Sequence, residues 1–325
     1  MKNRIFITAL LIAVAFQLNA VPQPVGTLQR DTILDVPCMV YLPHNYSQRI
    51  RQDKRGFPCL YLQHGMFGCE DDWSRQGHLL HWMDSLLREE MVEEMVIVMP
   101  DNFLGSIPLE ERQKLMLAPN VTPDGTPFTT EKGAAHWKKL TRTQEQTYEM
   151  SGFWEEHFPL FISEVEKKYW VDPRSKSRAI AGLSMGGFHT MHVSHYLVGT
   201  FDYIGLFSPV ILPRIAPDLQ GVPSEAQEAP AAPYKTIGFD RQLHYASPAY
   251  NDWQNDLRQL AQMPPVYYIA IGRTDFLYEQ LQDYRKWLEA NSFEYTYYET
   301  EGGHTWQNWQ DYLCHFLKMC FTRIW

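Results

Sequence analysis

Short, nearly unbroken apolar runs recur along this chain, and they leave few folds open. Pro58–Gly65, Val96–Asp101, Ser177–Gly182, Tyr203–Ser208 and Val266–Gly272 are each the length of a strand and apolar at almost every position. A strand of that kind must be covered on both faces. The runs are separated by stretches with helical patterning, at Leu79–Glu90, Trp154–Tyr169, Gly187–Val198 and Leu277–Ala290. Thr32–Pro43 reads as an earlier, partly alternating strand, Phe293–Glu299 as the last strand and Thr305–Phe321 as the last helix. Strands alternating with helices predict an α/β fold with a mostly parallel central sheet and helices on both faces.

The first 20 residues stand apart from this pattern. Lys2 and Arg4 precede an apolar run from Ile5 to Phe16, followed by Leu18-Asn19-Ala20 and then Val21-Pro22. That arrangement predicts a secretory signal peptide cut after Ala20, leaving one catalytic domain over residues 21–325. No cysteine precedes Cys38, so a lipid anchor at the cut is not expected, and no later run is apolar enough to span a bilayer. The expected destination is a periplasm or the medium.

The net charge of −9 comes from interspersed acids and bases with no basic tract, which argues against a nucleic-acid partner. Five cysteines are too few to frame the fold: Cys59 reads as core, and Cys314 and Cys320 share a helix but point in different directions. Two stretches break the strand–helix rhythm, Asn102 to about Thr147 and Pro213 to about Tyr245. Insertions of that length commonly form lids or binding loops.

The chemistry centres on Gly182-Leu183-Ser184-Met185-Gly186. The bare pattern is a modest signal, but here an apolar strand precedes it and a helical pattern follows. A serine on a tight strand-to-helix turn, flanked by small residues, projects its hydroxyl as a nucleophile. Acyl transfer then needs a base, an acid that orients the base, and donors for the oxyanion. In this architecture the acid and base follow the serine in the order acid, histidine. His304, in Gly302-Gly303-His304-Thr305, follows the last strand and fits the base. Asp275 ends the strand before it and fits the acid, with a helix N-cap as its structural alternative. Asp252, Glu299 and Glu301 are weaker choices, since none follows a central apolar strand. The oxyanion donors expected are the backbone amides of Met185, directly after the nucleophile, and Met66, in the glycine-bearing loop Gln63–Gly68.

Other residues read more blandly. His189, His192 and His195 are spaced by three on one helix, but the outer two diverge around it, so core and surface histidines are expected rather than a zinc site. Trp73, Trp137, Trp306 and Trp309 are aromatic residues that could line an acyl pocket, and Trp73 and Trp137 are the two taken as substrate contacts. No metal or cofactor is required.

His64-Gly65-x-x-Gly68, Asp71-Asp72-Trp73, Met99-Pro100-Asp101, Gly182–Gly187 and Gly303-His304-Thr305-Trp306 together resemble the esterase D superfamily of α/β-hydrolases. That group includes feruloyl and acetylxylan esterases of carbohydrate esterase family one, enterochelin esterases, S-formylglutathione hydrolases and mycolyltransferases. The resemblance runs from about Gln29 to Phe321 and implies the same residues: Ser184, Asp275, His304 and the amides of Met66 and Met185. It departs at the two insertions, which bear on the substrate. The export signal argues against a cytosolic thioester substrate. The expected function is therefore a secreted serine carboxylesterase that deacylates plant polysaccharide. An acyltransferase or siderophore esterase is the alternative among enzymes, and a catalytically inactive carbohydrate-binding module is the alternative outside them.

Overall fold

The computed structural model describes residues 26–52, 55–102, 154, 157–211 and 256–321. The expected leader, all of the first insertion except Asn102, the whole of the second, Trp137 and Asp252 lie outside them. Eight strands form one sheet: β1 Gly26–Ile33, β2 Val36–Pro43, β3 Cys59–Gln63, β4 Val96–Pro100, β5 Arg178–Leu183, β6 Tyr203–Phe207, β7 Val266–Gly272 and β8 Thr296–Thr300. Their spatial order is β1-β2-β4-β3-β5-β6-β7-β8, parallel from β4 to β8 and antiparallel at β1, β2 and the β2–β4 edge. The fold is α/β, as the alternating runs predict.

One sequence expectation is corrected. Thr32–Pro43 is not a single strand: it is the end of β1, a turn at Leu34-Asp35 and all of β2. Both turn residues have positive φ, 50° and 63°. Left-handed geometry at the two central residues matches the strand twist of a tight hairpin, and neither residue is the glycine or asparagine that usually marks it.

The apolar runs are buried because each faces two cores. Alternate residues of a strand point to opposite faces. Thus Cys59 and Tyr61 of β3 enter one cluster with Val98, Ile180 and Ile204, whereas Leu60 and Leu62 enter another with Ile97, Ala181 and Phe207. The first cluster is covered by α4 (residues 157–168), α5 (Met185–Tyr196), α6 (residues 256–262) and α7 (Tyr278–Ala290). The second is covered by α3 (Leu79–Arg88) and α8 (Trp306–Leu317). The short α1 (Tyr46–Gln52) and α2 (Asp72–Arg75) lie in connections. Each fully buried large side chain contributes about 1.5–3 kcal/mol by leaving water, so the layers hold the sheet rigid beneath its loops. No described helix is long and apolar enough to cross a membrane.

β3 has β4 on one side and β5 on the other, so the chain turns in opposite directions after β3 and β5. Open α/β sheets present their ligand crevice at such a switch point, outside the carboxyl ends of the strands. Gln63 pairs with Gly182 there, and the loops carrying His64 to Met66 and Ser184 leave the sheet side by side.

Candidate active site

Ser184 sits between β5 and α5 with φ 54° and ψ −116°. A non-glycine residue in that region costs on the order of 1–3 kcal/mol and persists only where its surroundings over-determine it. They do so here. Its N–H donates to the Phe207 carbonyl at 2.9 Å, and its own carbonyl accepts from Phe188 at 3.1 Å and Val210 at 3.2 Å. Two glycines make the turn possible. A Cβ on Gly182 would lie 2.4 Å from the Gly186 carbonyl oxygen, and one on Gly186 would lie 2.4 Å from that of His64. Backbone therefore packs on backbone at β3, β5 and the first turn of α5.

His304 and Asp275 arrive from the next loops along the edge. The exits of β7 and β8 are tied together by Arg273 N–H to the Thr300 carbonyl and Thr274 N–H to the Gly302 carbonyl, both at 2.9 Å. Asn308, on the first turn of α8, donates from Nδ2 to the Glu301 carbonyl at 2.7 Å and accepts from Thr305 Oγ1 at 2.8 Å, which fastens the loop carrying His304. The Asp275 side chain is fully shielded from solvent. Its Oδ2 and Oδ1 lie 2.9 and 3.1 Å from His304 Nδ1. A carboxylate can only accept, so Nδ1 carries the proton. The bare Nε2 then faces Ser184 Oγ at 2.9 Å and accepts from the hydroxyl. Asp275 Oδ1 also accepts the Leu277 amide at 2.9 Å. The helix-start role and the histidine-orienting role are thus filled by one carboxylate. Glu299 and Glu301 pair with Arg273 instead.

Met185 is the first residue of α5, where an amide has no carbonyl partner within the helix. Met66 and Phe67 pack against the Met185 side chain, so the two expected donor positions are neighbours across the switch point. The amino end of α5 adds its partial positive charge at the same place.

Trp73, expected to touch substrate, lies in the core: it is 1% exposed and its indole N–H donates to the Gln63 carbonyl at 2.9 Å. It supports the β3 exit from below. Trp306 packs edge-on against Trp73, with ring centroids 5.2 Å apart, and Trp309 packs edge-on against the His304 ring at 4.8 Å.

His64 is the supporting residue that sequence reasoning passed over. It is 1% exposed; Nδ1 donates to the Gly65 carbonyl at 2.7 Å, Nε2 accepts the Asn102 N–H at 3.1 Å, and the Asp101 carboxylate lies 3.1 Å from Nε2. Asn102 Nδ2 returns a bond to the His64 carbonyl at 3.1 Å. In the sequence, His64 and Asp101 each end an apolar run and each stands in a motif of the resemblance, with no role attached to either.

His189, His192 and His195 are all buried, with none on the surface. Burial pushes His189 and His195 down to about 3, with His192 adding to the effect. Among the described residues, Cys69, Asp71 and Asp72 are the one group with ligand-type atoms within 4.8 Å of each other. Those atoms are already engaged: the Cys69 thiol donates to Asp71 at 3.0 Å, and Arg30 and Arg75 hold the Asp71 carboxylate. All five cysteines are free and buried.

A strained serine, a histidine 2.9 Å from its hydroxyl and a buried aspartate, carried on this strand order, have the arrangement of a candidate serine-hydrolase site on an α/β-hydrolase fold. The family model described as "Putative esterase" matches residues 33–105 and 110–318. The chain belongs to that family, within the esterase D-like superfamily. It is 29% identical over 173 residues to an acetyl esterase of Caldicellulosiruptor saccharolyticus, covering 50% of this chain and 64% of that protein. It is 25% identical over 169 residues to an endo-1,4-beta-xylanase/feruloyl esterase of Xylanibacter ruminicola, covering 52% of this chain and 19% of that protein. The matches thus span less than two thirds of either relative. In structure it is similar to a ferulic acid esterase from Anaeromyces mucronatus solved with ferulic acid (TM-score 0.56, 19% identity, 91% of each chain). It is also similar to an S-formylglutathione hydrolase from Staphylococcus aureus (TM-score 0.54, 14% identity, 91% of this chain and 96% of that one). At these identities the structural likeness speaks for the fold.

Proposed function

We propose that this protein is an exported serine esterase that removes acetyl or hydroxycinnamoyl groups from plant polysaccharide through an acyl-enzyme. The observation that carries the reading is the unbroken relay from Asp275 through His304 to Ser184 Oγ, with contacts of 2.9 Å at each end. His304 takes the Ser184 proton as Oγ attacks the ester carbonyl, and the amides of Met66 and Met185 receive the developing oxyanion. The alcohol leaves with the proton from Nε2. Water, deprotonated by the same nitrogen, then releases the acid.

The substrate class draws its support from two relatives, named as an acetyl esterase and as a xylanase/feruloyl esterase. Export draws on the basic start and apolar run before Ala20, in keeping with a polymer substrate that cannot enter a cell. A single domain over residues 21–325 is the matching organisation. An inactive binding module has no use for a serine held in a costly conformation beneath a histidine. The test is hydrolysis of 4-nitrophenyl acetate and methyl ferulate by the protein and by Ser184→Ala. Turnover of either ester that vanishes in the variant is expected; equal rates for the two proteins overturn the reading. Amino-terminal sequencing of protein recovered from the medium or periplasm checks the cut after Ala20.

A further inference from the structure

Phe276 is the most exposed large apolar residue among those described, at 75%, whereas Leu160, Met263 and Tyr196 range from 47 to 55%. Single exposed apolar residues are ordinary on protein surfaces, so exposure alone says nothing. Its place is the informative part. Phe276 directly follows Asp275, and its ring lies against the His304 imidazole with centroids 4.5 Å apart and planes tilted by 50°.

The backbone around it is pinned. Asp275 N–H donates to the Gly272 carbonyl at 3.0 Å, Tyr278 N–H to the Asp275 carbonyl at 3.0 Å, and Leu277 N–H to Asp275 Oδ1 at 2.9 Å. The ring is therefore presented from a fixed turn. The other aromatic neighbour of the imidazole, Trp309, is 6% exposed. Trp309 marks the core side of His304, and Phe276 marks the side open to solvent.

We infer that the Phe276 ring is the platform on which the alcohol half of the ester, a sugar ring, rests during acyl transfer. This rests on the esterase reading above and names the contact that reads the alcohol. In acylation, Ser184 Oγ bonds to the carbonyl carbon and its proton passes to His304 Nε2. The bond from that carbon to the sugar oxygen then breaks, and the proton passes from Nε2 to the departing oxygen. The departing oxygen must come within hydrogen-bond reach of Nε2. The sugar bonded to it therefore lies within about one ring width of Phe276.

The chemistry of the platform selects the occupant. A ring left three-quarters in water is a surface rather than a pocket, and it suits a group that stays wet on its far side. A sugar offers its C–H face to an aromatic ring and keeps its hydroxyls in solvent. A flat aromatic acyl group would be better served by an enclosed slot.

The test compares two esters that share an acyl group and differ in alcohol: methyl ferulate and a feruloylated arabinoxylan oligosaccharide, or the acetyl pair if the protein prefers acetate. For Phe276→Ala we expect kcat/KM on the sugar ester to fall about five- to tenfold, mostly through KM. The methyl ester should stay within about twofold, because it lacks the contact. Phe276→Trp should keep the preference for the sugar ester. A parallel fall on both esters would mean that the ring only shields His304 and overturns the inference, as does no change on either. Titration of Ser184 with a fluorophosphonate and the thermal midpoint show whether each variant is folded. Wild-type protein that cleaves 4-nitrophenyl acetate but neither sugar ester overturns the platform while leaving the Ser184 chemistry standing.

Discussion

Two loops at the carboxyl edge of the sheet carry a histidine beside a glycine, and in both an aspartate lies within 3.1 Å of the ring: His64 with Asp101 after β3, and His304 with Asp275 after β8. The two differ in what meets the other nitrogen. In the His64 loop it is the Gly65 carbonyl, so both ring nitrogens are spent on holding chain. In the His304 loop it is the Ser184 hydroxyl, which can lose its proton. Exposure follows the same division, 1% for the His64 side chain against 17% for His304. An imidazole beside an aspartate can thus be spent on main-chain bonds or held for a hydroxyl; what meets the two nitrogens decides between architecture and chemistry.

The comparison can be broken most severely at Ser184. Ser184→Ala, or His304→Ala, should lower kcat by roughly 10⁵-fold or more with the thermal midpoint little changed; steady-state rates beside a melting curve measure both. Asp275→Asn should cost roughly 10³- to 10⁴-fold, because an amide can stabilise the wrong imidazole tautomer. Fluorophosphonate labelling should slow in step.

His64→Ala should behave in the opposite way. It leaves the Gly65 carbonyl and the Asn102 amide without their ring partner, at an expected cost of about 2–4 kcal/mol of folding stability. Ser184 should still be labelled. Loss of labelling in a folded His64→Ala protein would show that the two loops are not divided as described.

The smallest effect concerns acid. Burial holds His189 and His195 down to about 3, so both stay neutral in the fold through mild acid while the unfolded chain takes up protons below about 6.5. Their contribution is intact above that value. Each then subtracts about 1.4 kcal/mol per pH unit as pH falls toward 3. His189→Gln should remove one of the two slopes, measurable by urea unfolding at pH 7 and pH 5.

Much of this was legible before any coordinates. Wholly apolar runs mark strands of a covered parallel sheet, and position at their carboxyl ends singled out Ser184, Asp275 and His304, which the fold brings together. The features missed are those with no local signature. The Leu34-Asp35 turn lacks the glycine or asparagine that announces left-handed residues. Trp73 could not be told from a pocket aromatic, because composition does not say on which side of a loop an indole falls. His64 meets Asp101 across 37 residues of chain, a pairing set only when β3 and β4 lie side by side. Phe276 is one letter between an aspartate and a helix; its meaning comes from the imidazole it touches.

The contact of Gly186 with the carbonyls of Gln63 and His64 has a consequence for how such a protein can diversify. The spacing between the Ser184 turn and the Met66 loop is set by main chain meeting main chain, with Met66 packed against the Met185 side chain beside it. Met66, which is only partly buried, can be exchanged while the main-chain spacing stays put. A library varied at Met66 and Phe276 should therefore be rich in altered preference and poor in dead protein, whereas one varied at Gly182 and Gly186 should be the reverse.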